Sequence, residues 1–276
     1  LPGIKKEGFT VPYYAKKKYS KGLYKMTTNI DIKTIEDLSL NAWPSFQMEL
    51  YDGWILRFSH FYTHRTNSVE QFGTSSLTWR EKIPYCEAAY KRWGTPAIFK
   101  ISPLVSKDFD YMLENRDYEI QHTTNVMVVN SEDAILDAPT DGVTVSQTIQ
   151  REWIDSLLTL NGTTNTTHKA IVPTMYDAIA KDTICVFVQN QGEIIATGLG
   201  ILDRDYVGVY AIYVREDYRK KGLARAMCTC ILKEGIKRGA KKAYLQVVAG
   251  NETAYRLYES LGFKYLYHYW FRVSKE

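Results

Sequence analysis

The sequence predicts an α/β fold in two halves, on three observations. An apolar run at 207–214 leads through a tight basic turn into a helical pattern at 223–237. A second apolar run at 243–248 precedes another helical segment that begins near Asn251. A polar stretch at 131–142, containing Pro139, Asp141 and Gly142, separates this unit from everything before it.

The chain has 276 residues, which suits two domains at about 100–200 residues each. Hydrophobic residues make up 45%, enough for sizeable cores. No apolar run approaches the ~18 residues of a membrane span. The start is polar and Lys-rich without the apolar core of a secretion signal, so the expected location is cytoplasmic. The net charge is +4, but residues 1–25 hold seven Lys and one Glu, leaving −2 for the rest. That near-neutral body argues against a nucleic-acid partner. Residues 1–26 read as a solvated basic extension of non-native origin, with Met26 as the natural start; the alternative is a tail for polyanions or membranes. Cys86, Cys185, Cys228 and Cys230 read as reduced, mostly buried thiols. No metal site is expected: Cys228 and Cys230 point to different helix faces, and His60 and His64 lie in a strand-like aromatic region.

In the first half, residues 52–58 and 66–71 read as strands, 76–93 as a helix and 96–101 as a strand, before a helix that opens the segment 109–119. In the second, 151–160 and 170–181 read as helices. Strands follow at 183–189, 193–202 and 207–214, joined by turns at Gln191 and Gly192 and at 203–205. The helix 223–237 buries Leu223, Met227, Ile231 and Leu232 on one face and ends at Gly239. Gly198 and Gly200 lie inside a strand pattern and do not suggest a dinucleotide site. Residues 109–119 (FDYMLENRDYE) faintly echo 254–264 (AYRLYESLGFK), so the first half mirrors the second in element order.

The turn reads Arg219, Lys220, Lys221, Gly222, Leu223, Ala224. A helix start offers unpaired backbone N–H groups and the positive end of the helix dipole. It is a ready site for a phosphate or pyrophosphate. Gly222 lets the backbone approach the anion, and the basic side chains surround it.

The turn has the form R-x-x-G-x-A. Downstream, 251–263 (NETAYRLYESLGF) has the form N-x-x-A-x-x-L-Y-x-x-x-G-F. Together they resemble the GNAT superfamily of acyl-CoA N-acyltransferases, over residues 145–273. The resemblance implies a mixed, mostly antiparallel sheet flanked by helices in each of two tandem GNAT-like domains. It implies a catalytic domain at 145–276 and a degenerate one at 27–135, since the first half lacks the basic turn and has Leu113 where Tyr258 stands. Residues 145–276, where soluble, are then expected to bind the cofactor alone.

The resemblance further implies acetyl-CoA as donor, its pyrophosphate on Arg219, Lys220, Lys221, Gly222, Leu223 and Ala224. Its pantetheine arm would lie beside Ile212, Tyr213 and Val214, where a backbone N–H would stabilise the oxyanion. Asn251 and Tyr255 would face the cofactor; Asn251 equally suits a plain helix N-cap. Tyr258 matches the general acid for the departing thiolate, against the alternative of core packing. No general base is identified: 207–214 holds no acid, and Asp203, Asp205, Glu216, Glu259, His168, His268 and a water relay stay open.

The reading is an N-acetyltransferase acting on a primary amine, of a small molecule rather than a protein, by direct aminolysis of the thioester. The first half would help form the acceptor site or a homodimer surface. The alternative is a non-catalytic acyl-CoA-binding or interaction module, which the missing acid on 207–214 favours slightly, whereas Tyr258 and the intact basic turn favour the enzyme.

Overall fold

Strand pairing joins the two halves into one mixed sheet. A computed structural model describes residues 29–275; the expected basic extension, 1–26, lies outside them. The first half contributes α1 (Asn29–Ala42), β1 (Gln47–Tyr51), β2 (Trp54–Phe58), β3 (Val69–Gln71), α2 (Trp79–Arg92), β4 (Ile98–Ile101), α3 (Lys107–Glu114) and β5 (Glu119–Asn130). The second contributes β6 (Val143–Ser146), α4 (Arg151–Leu160), α5 (Thr166–Asp177), β7 (Asp182–Asn190), β8 (Glu193–Asp203) and β9 (Tyr206–Val214). It continues with α6 (Leu223–Lys237), β10 (Lys242–Val248), α7 (Glu252–Ser260) and β11 (Lys264–Val273).

The strand order is β1-β2-β3-β4-β11-β5-β10-β9-β8-β7-β6. Among the described residues only β3–β4 and β9–β10 pair in parallel, so the expected mostly antiparallel mixed sheet is present. The echo between the halves is a matching order, α2-β4-α3-β5 against α6-β10-α7-β11. The final strands are exchanged. β11 pairs with β4, β5 pairs with β10, and β5 and β11 pair with each other at the centre. The polar stretch 131–142 therefore divides the chain without dividing the sheet.

Several boundaries differ from the sequence reading, each for a local reason. Thr66 closes a 3-10 turn, His64–Thr66, so only Val69–Gln71 of the expected strand 66–71 forms. The helix expected at 76–93 starts at Trp79, because the Asp52 carboxylate holds the backbone N–H groups of Ser76 and Leu77 outside it. The echoed helix before the 117–118 turn starts at Lys107 and ends at Glu114, and Asp117 (φ +61°) is left-handed where Gly262 (φ +94°) stands in the second half. The helix expected at 170–181 starts at Thr166, where the Asn165 side chain accepts from the His168 N–H at 3.1 Å, and ends at Asp177.

Helices cover both faces. Met227, Cys228, Ile231 and Leu232 of α6 pack with Ile184, Val186, Ala196 and Val209. The contact is close: a Cβ on Gly200 would lie 2.6 Å from Ile231 Cγ2, and one on Gly198 2.8 Å from Ile212 Cδ1. These strand glycines thus serve packing. On the other face α4 and α5 pack against Cys185, Leu199 and Ile201. The α1 residues Ile35 and Leu38 cover the exchanged strands through Val126, Tyr269 and Phe271.

Candidate active site

The sheet opens between β9 and β10. The two pair only from Tyr206 to Val209 against Lys242 to Leu245, although β9 runs on to Val214 and β10 to Val248. The cause is a bulge: Thr197 faces Tyr213 and Leu199 faces Tyr210, so Gly198 is opposed by both Ala211 and Ile212. Ala211 takes a left-handed conformation (φ +51°), and the Thr197 hydroxyl donates to its carbonyl at 3.2 Å. Beyond Val209, β9 presents a backbone edge with no strand partner on the β10 side among the described residues. An extended polar arm suits such an edge, as an added strand would.

That edge runs into the basic turn. Arg215 donates through its N–H to the Ile195 carbonyl at 2.8 Å, and a 3-10 turn, Glu216–Tyr218, follows. Lys220 (φ +60°) and Gly222 (φ +81°) are left-handed. Gly222 is the N-cap of α6 and supplies no side chain to its orphan N–H groups. A Cβ there would meet nothing within 4 Å, so the space beside the helix start is open. Arg219 Nε donates to the Val214 carbonyl at 3.2 Å, and the Lys221 ammonium lies 4.5 Å from the Tyr218 ring centre. Arg219, Lys220 and Lys221 are exposed, and Leu223 and Ala224 are half-buried. The six residues form one open, basic turn at the start of α6.

Across the opening, the Asn251 side chain accepts from the Ala254 N–H at 3.1 Å, so its N-cap role is realised. Tyr255 is half-buried and packs against the α6 core. Tyr258 is buried among α6 and α7 residues, with its ring edge-on to Phe263 at 6.2 Å. Burial, with Cys228 and Tyr213 nearby, pushes its phenol well above the ordinary tyrosine range. Ile212 and Val214 are half-buried and Tyr213 is exposed, on the unpaired part of β9.

Of the six candidate bases, five stand poorly. Burial opposes ionisation of Asp203, but Asn41 at 2.8 Å and Lys181 at 3.0 Å outweigh it and keep its carboxyl below the usual range. Asp205, Glu216 and Glu259 are exposed. His268 is exposed on β11, bonded to the Tyr265 hydroxyl at 2.6 Å. His168 differs, since its Nε2 lies 2.8 Å from the His60 carbonyl. A nitrogen facing a carbonyl oxygen must donate, so Nδ1 is the unprotonated nitrogen of the neutral ring.

The His60 contact leads to a feature that the sequence reading passed over, the loop 59–67 of the first half. His60 and Phe61 are both left-handed (φ +47° and +59°). Asn67 holds them there: its Oδ1 accepts from the Ser59 and Phe61 N–H groups, and its Nδ2 donates to Thr63 O. The buried Arg57 donates to the carbonyls of Trp43 and Arg65. The loop so fixed reaches the second half. Tyr62 bonds Asn161 and stacks edge-on with His168, and Arg65 Nη1 donates to Gln246 Oε1 at 3.1 Å. Trp43, Arg65, Tyr210 and Gln246 line one small cavity, with room for about one water. Strained backbone fixed at such expense is a mark of functional loops.

Beneath the loop lies a charge cluster. Lys100 meets Glu36 at 2.6 Å and Glu70 at 3.6 Å, and the Tyr267 hydroxyl bonds Glu36. His64, 4.3 Å ring to ring from His122, is held down to about 4 by burial and by the His122 charge. Among the described residues, no group of three or more His, Cys, Asp or Glu is placed to hold a metal ion, and no helix is long and apolar enough to cross a membrane.

Residues 29–272 match the family model described as "Probable histone acetyltransferase Rv0428c C-terminal". The chain is 24% identical to the uncharacterized N-acetyltransferase YobR of Bacillus subtilis, over 89% of this chain and 99% of that one. It is 38% identical over 74 residues to the [ribosomal protein bS18]-alanine N-acetyltransferase of Escherichia coli, spanning 50% of that protein. A GCN5-related N-acetyltransferase from Kribbella flavida superposes with a TM-score of 0.63 at 16% identity, covering 91% of this chain and 97% of that one. A tandem GNAT protein from the clavulanic acid biosynthesis pathway gives 0.56 at 10% identity, covering 76% and 75%.

Proposed function

The chain belongs to the Rv0428c C-terminal acetyltransferase family and is a GNAT-type N-acetyltransferase, and from that premise we propose that it moves an acetyl group from acetyl-CoA to a primary amine by direct aminolysis. The observation that carries the reading is one continuous path, from the unpaired edge of β9 to the uncapped start of α6. The pantetheine arm would lie along Ile212, Tyr213 and Val214, and the pyrophosphate would rest on Arg219, Lys220, Lys221, Gly222, Leu223 and Ala224.

In the reaction, the amine nitrogen attacks the thioester carbonyl and a tetrahedral oxyanion forms. A backbone N–H freed at the bulge stabilises that charge. The C–S bond then breaks, giving the amide and a thiolate. Tyr258 donates a hydrogen bond to the sulfur. A phenol raised in pKa keeps its proton at neutral and alkaline pH. Full transfer to a thiolate of ordinary pKa ~8.5 runs uphill, so its contribution is charge stabilisation during departure. β9 carries no carboxylate or histidine, so the amine's proton leaves to solvent or towards His168 of α5, where that helix meets the facing loop.

A small-molecule acceptor is favoured over a protein because loop 59–67 faces the opening of the second half, and a cleft between two halves can enclose a small ligand. Thiol release from acetyl-CoA across a panel of amines tests the reading. Protection of the fold by acetyl-CoA with no release from any amine would instead support a binding module.

A further inference from the structure

We propose that the acceptor amine carries a carboxylate, and that Arg65 binds it; this rests on the acetyl-transfer reading above. The argument is one of unbalanced charge. Arg57, Arg65 and Lys100 line the same cavity as Glu70. Glu70 and Glu36 are both taken by Lys100. Arg57 is spent on the Trp43 and Arg65 carbonyls. Three cations thus face two carboxylates, and Arg65 has no carboxylate within ion-pair distance among the described residues. Its one hydrogen bond to a side chain, to the neutral amide of Gln246, uses Nη1 alone. A half-buried guanidinium with an unmatched charge favours an anion, and its planar fork fits a carboxylate in two parallel bonds.

Position agrees with charge. Arg65 is close enough to Tyr62, Tyr176, Tyr210 and Tyr269 that its charge bears on each phenol. Tyr210 lies on β9 where the strand parts from β10, next to the bulge at Ala211. An anion held by Arg65 therefore lies beside the opening in which the thioester would sit, within an aromatic wall. Arg65 itself is held by Arg57 and by the Asn67-braced loop, so the fork is presented without a large ordering cost. The first half, which lacks the basic turn, would thereby contribute acceptor recognition to a reaction centred on the second.

The test uses the full chain and matched pairs that differ in the carboxylate alone: lysine with cadaverine, phenylalanine with phenethylamine. Phosphoethanolamine with ethanolamine probes phosphate. The wild type is expected to prefer the carboxylate member in kcat/KM, and Arg65→Met to abolish the preference by about 10- to 100-fold. Arg65→Lys, which keeps the charge without the fork, should retain part of it. Calorimetry with CoA present, titrating the N-acetylated member of each pair, supplies a readout independent of turnover. Turnover with no carboxylate preference, a preference unaltered in Arg65→Met, or a preference confined to phosphate would each overturn the carboxylate site while leaving acetyl transfer intact. CoA binding with no turnover of any amine would overturn the acetyl-transfer reading; Arg65-dependent binding of the carboxylate ligands would then still support the anion site, and its absence would overturn that as well.

Discussion

The Tyr258 ring meets the Phe263 ring edge-on, with centroids 6.2 Å apart. One residue therefore has two claims on it. Its ring belongs to the core beneath α6, while the proposed reaction has its hydroxyl meet the departing sulfur. The two claims separate by substitution. Tyr258→Phe keeps the ring and is expected to lower kcat by about 10²-fold with little change in the affinity for CoA. Tyr258→Ala should cost about 3–5 kcal/mol of stability by analogy with other buried aromatic truncations. Full turnover in the Phe variant, measured by thiol release, would return Tyr258 to packing alone.

Gly222 is left-handed at the start of α6. An alanine there costs about 1–2 kcal/mol from backbone strain, and its Cβ enters the space assigned to the pyrophosphate. Gly222→Val is expected to lose the rise in Tm that acetyl-CoA gives the wild type. The check is thermal unfolding with and without the cofactor; an undiminished rise in the variant rules out the turn as the anion site.

His64 is held from 6.5 to about 4 in the folded chain, by burial first and the His122 charge second. The unfolded chain therefore binds a proton between those values that the folded chain refuses. Stability is full above pH ~6.5 and falls as pH drops towards 4. His64→Gln removes the titrating ring, so its Tm should decline less across this window. Parallel Tm curves for the two proteins from pH 7 to 4 would contradict the assignment.

The exchanged strands make each half incomplete. Residues 145–276 alone leave β10 without β5, and β11 without both β4 and β5, so long strand edges are exposed. This fragment is expected to be insoluble or unfolded alone, and to recover a folded circular-dichroism signal when co-expressed with residues 27–144. A soluble 145–276 that binds CoA by calorimetry would show that the exchange is dispensable.

Much of this was legible in the residues themselves. The run from β9 through Gly222 to α6 is local: strand propensity, a glycine that tolerates positive φ, and a helix start follow within about 30 residues. Short-range rules suffice for such a unit. The same holds for Asn251, whose capping bond spans three residues. The faint echo between 109–119 and 254–264 also pointed to a repeated order, which the matching α-β-α-β units now carry.

Tertiary structure decided the rest, because the rest depends on contacts between distant residues. Nothing in β5 or β11 as sequence says that they trade places, since each follows a helix and offers an apolar stretch, 126–129 or 265–271, that would fit either half. The bulge at Ala211 needs Thr197 and Gly198 on the neighbouring strand. Arg65 looks like one more basic residue in a polar loop. It acquires meaning only when Arg57 and Asn67 fix that loop, Lys100 claims the nearby carboxylates, and Gln246, 181 positions away, receives its hydrogen bond. Local chemistry determined where a cofactor's phosphates would rest; long-range packing determined what stands across from them.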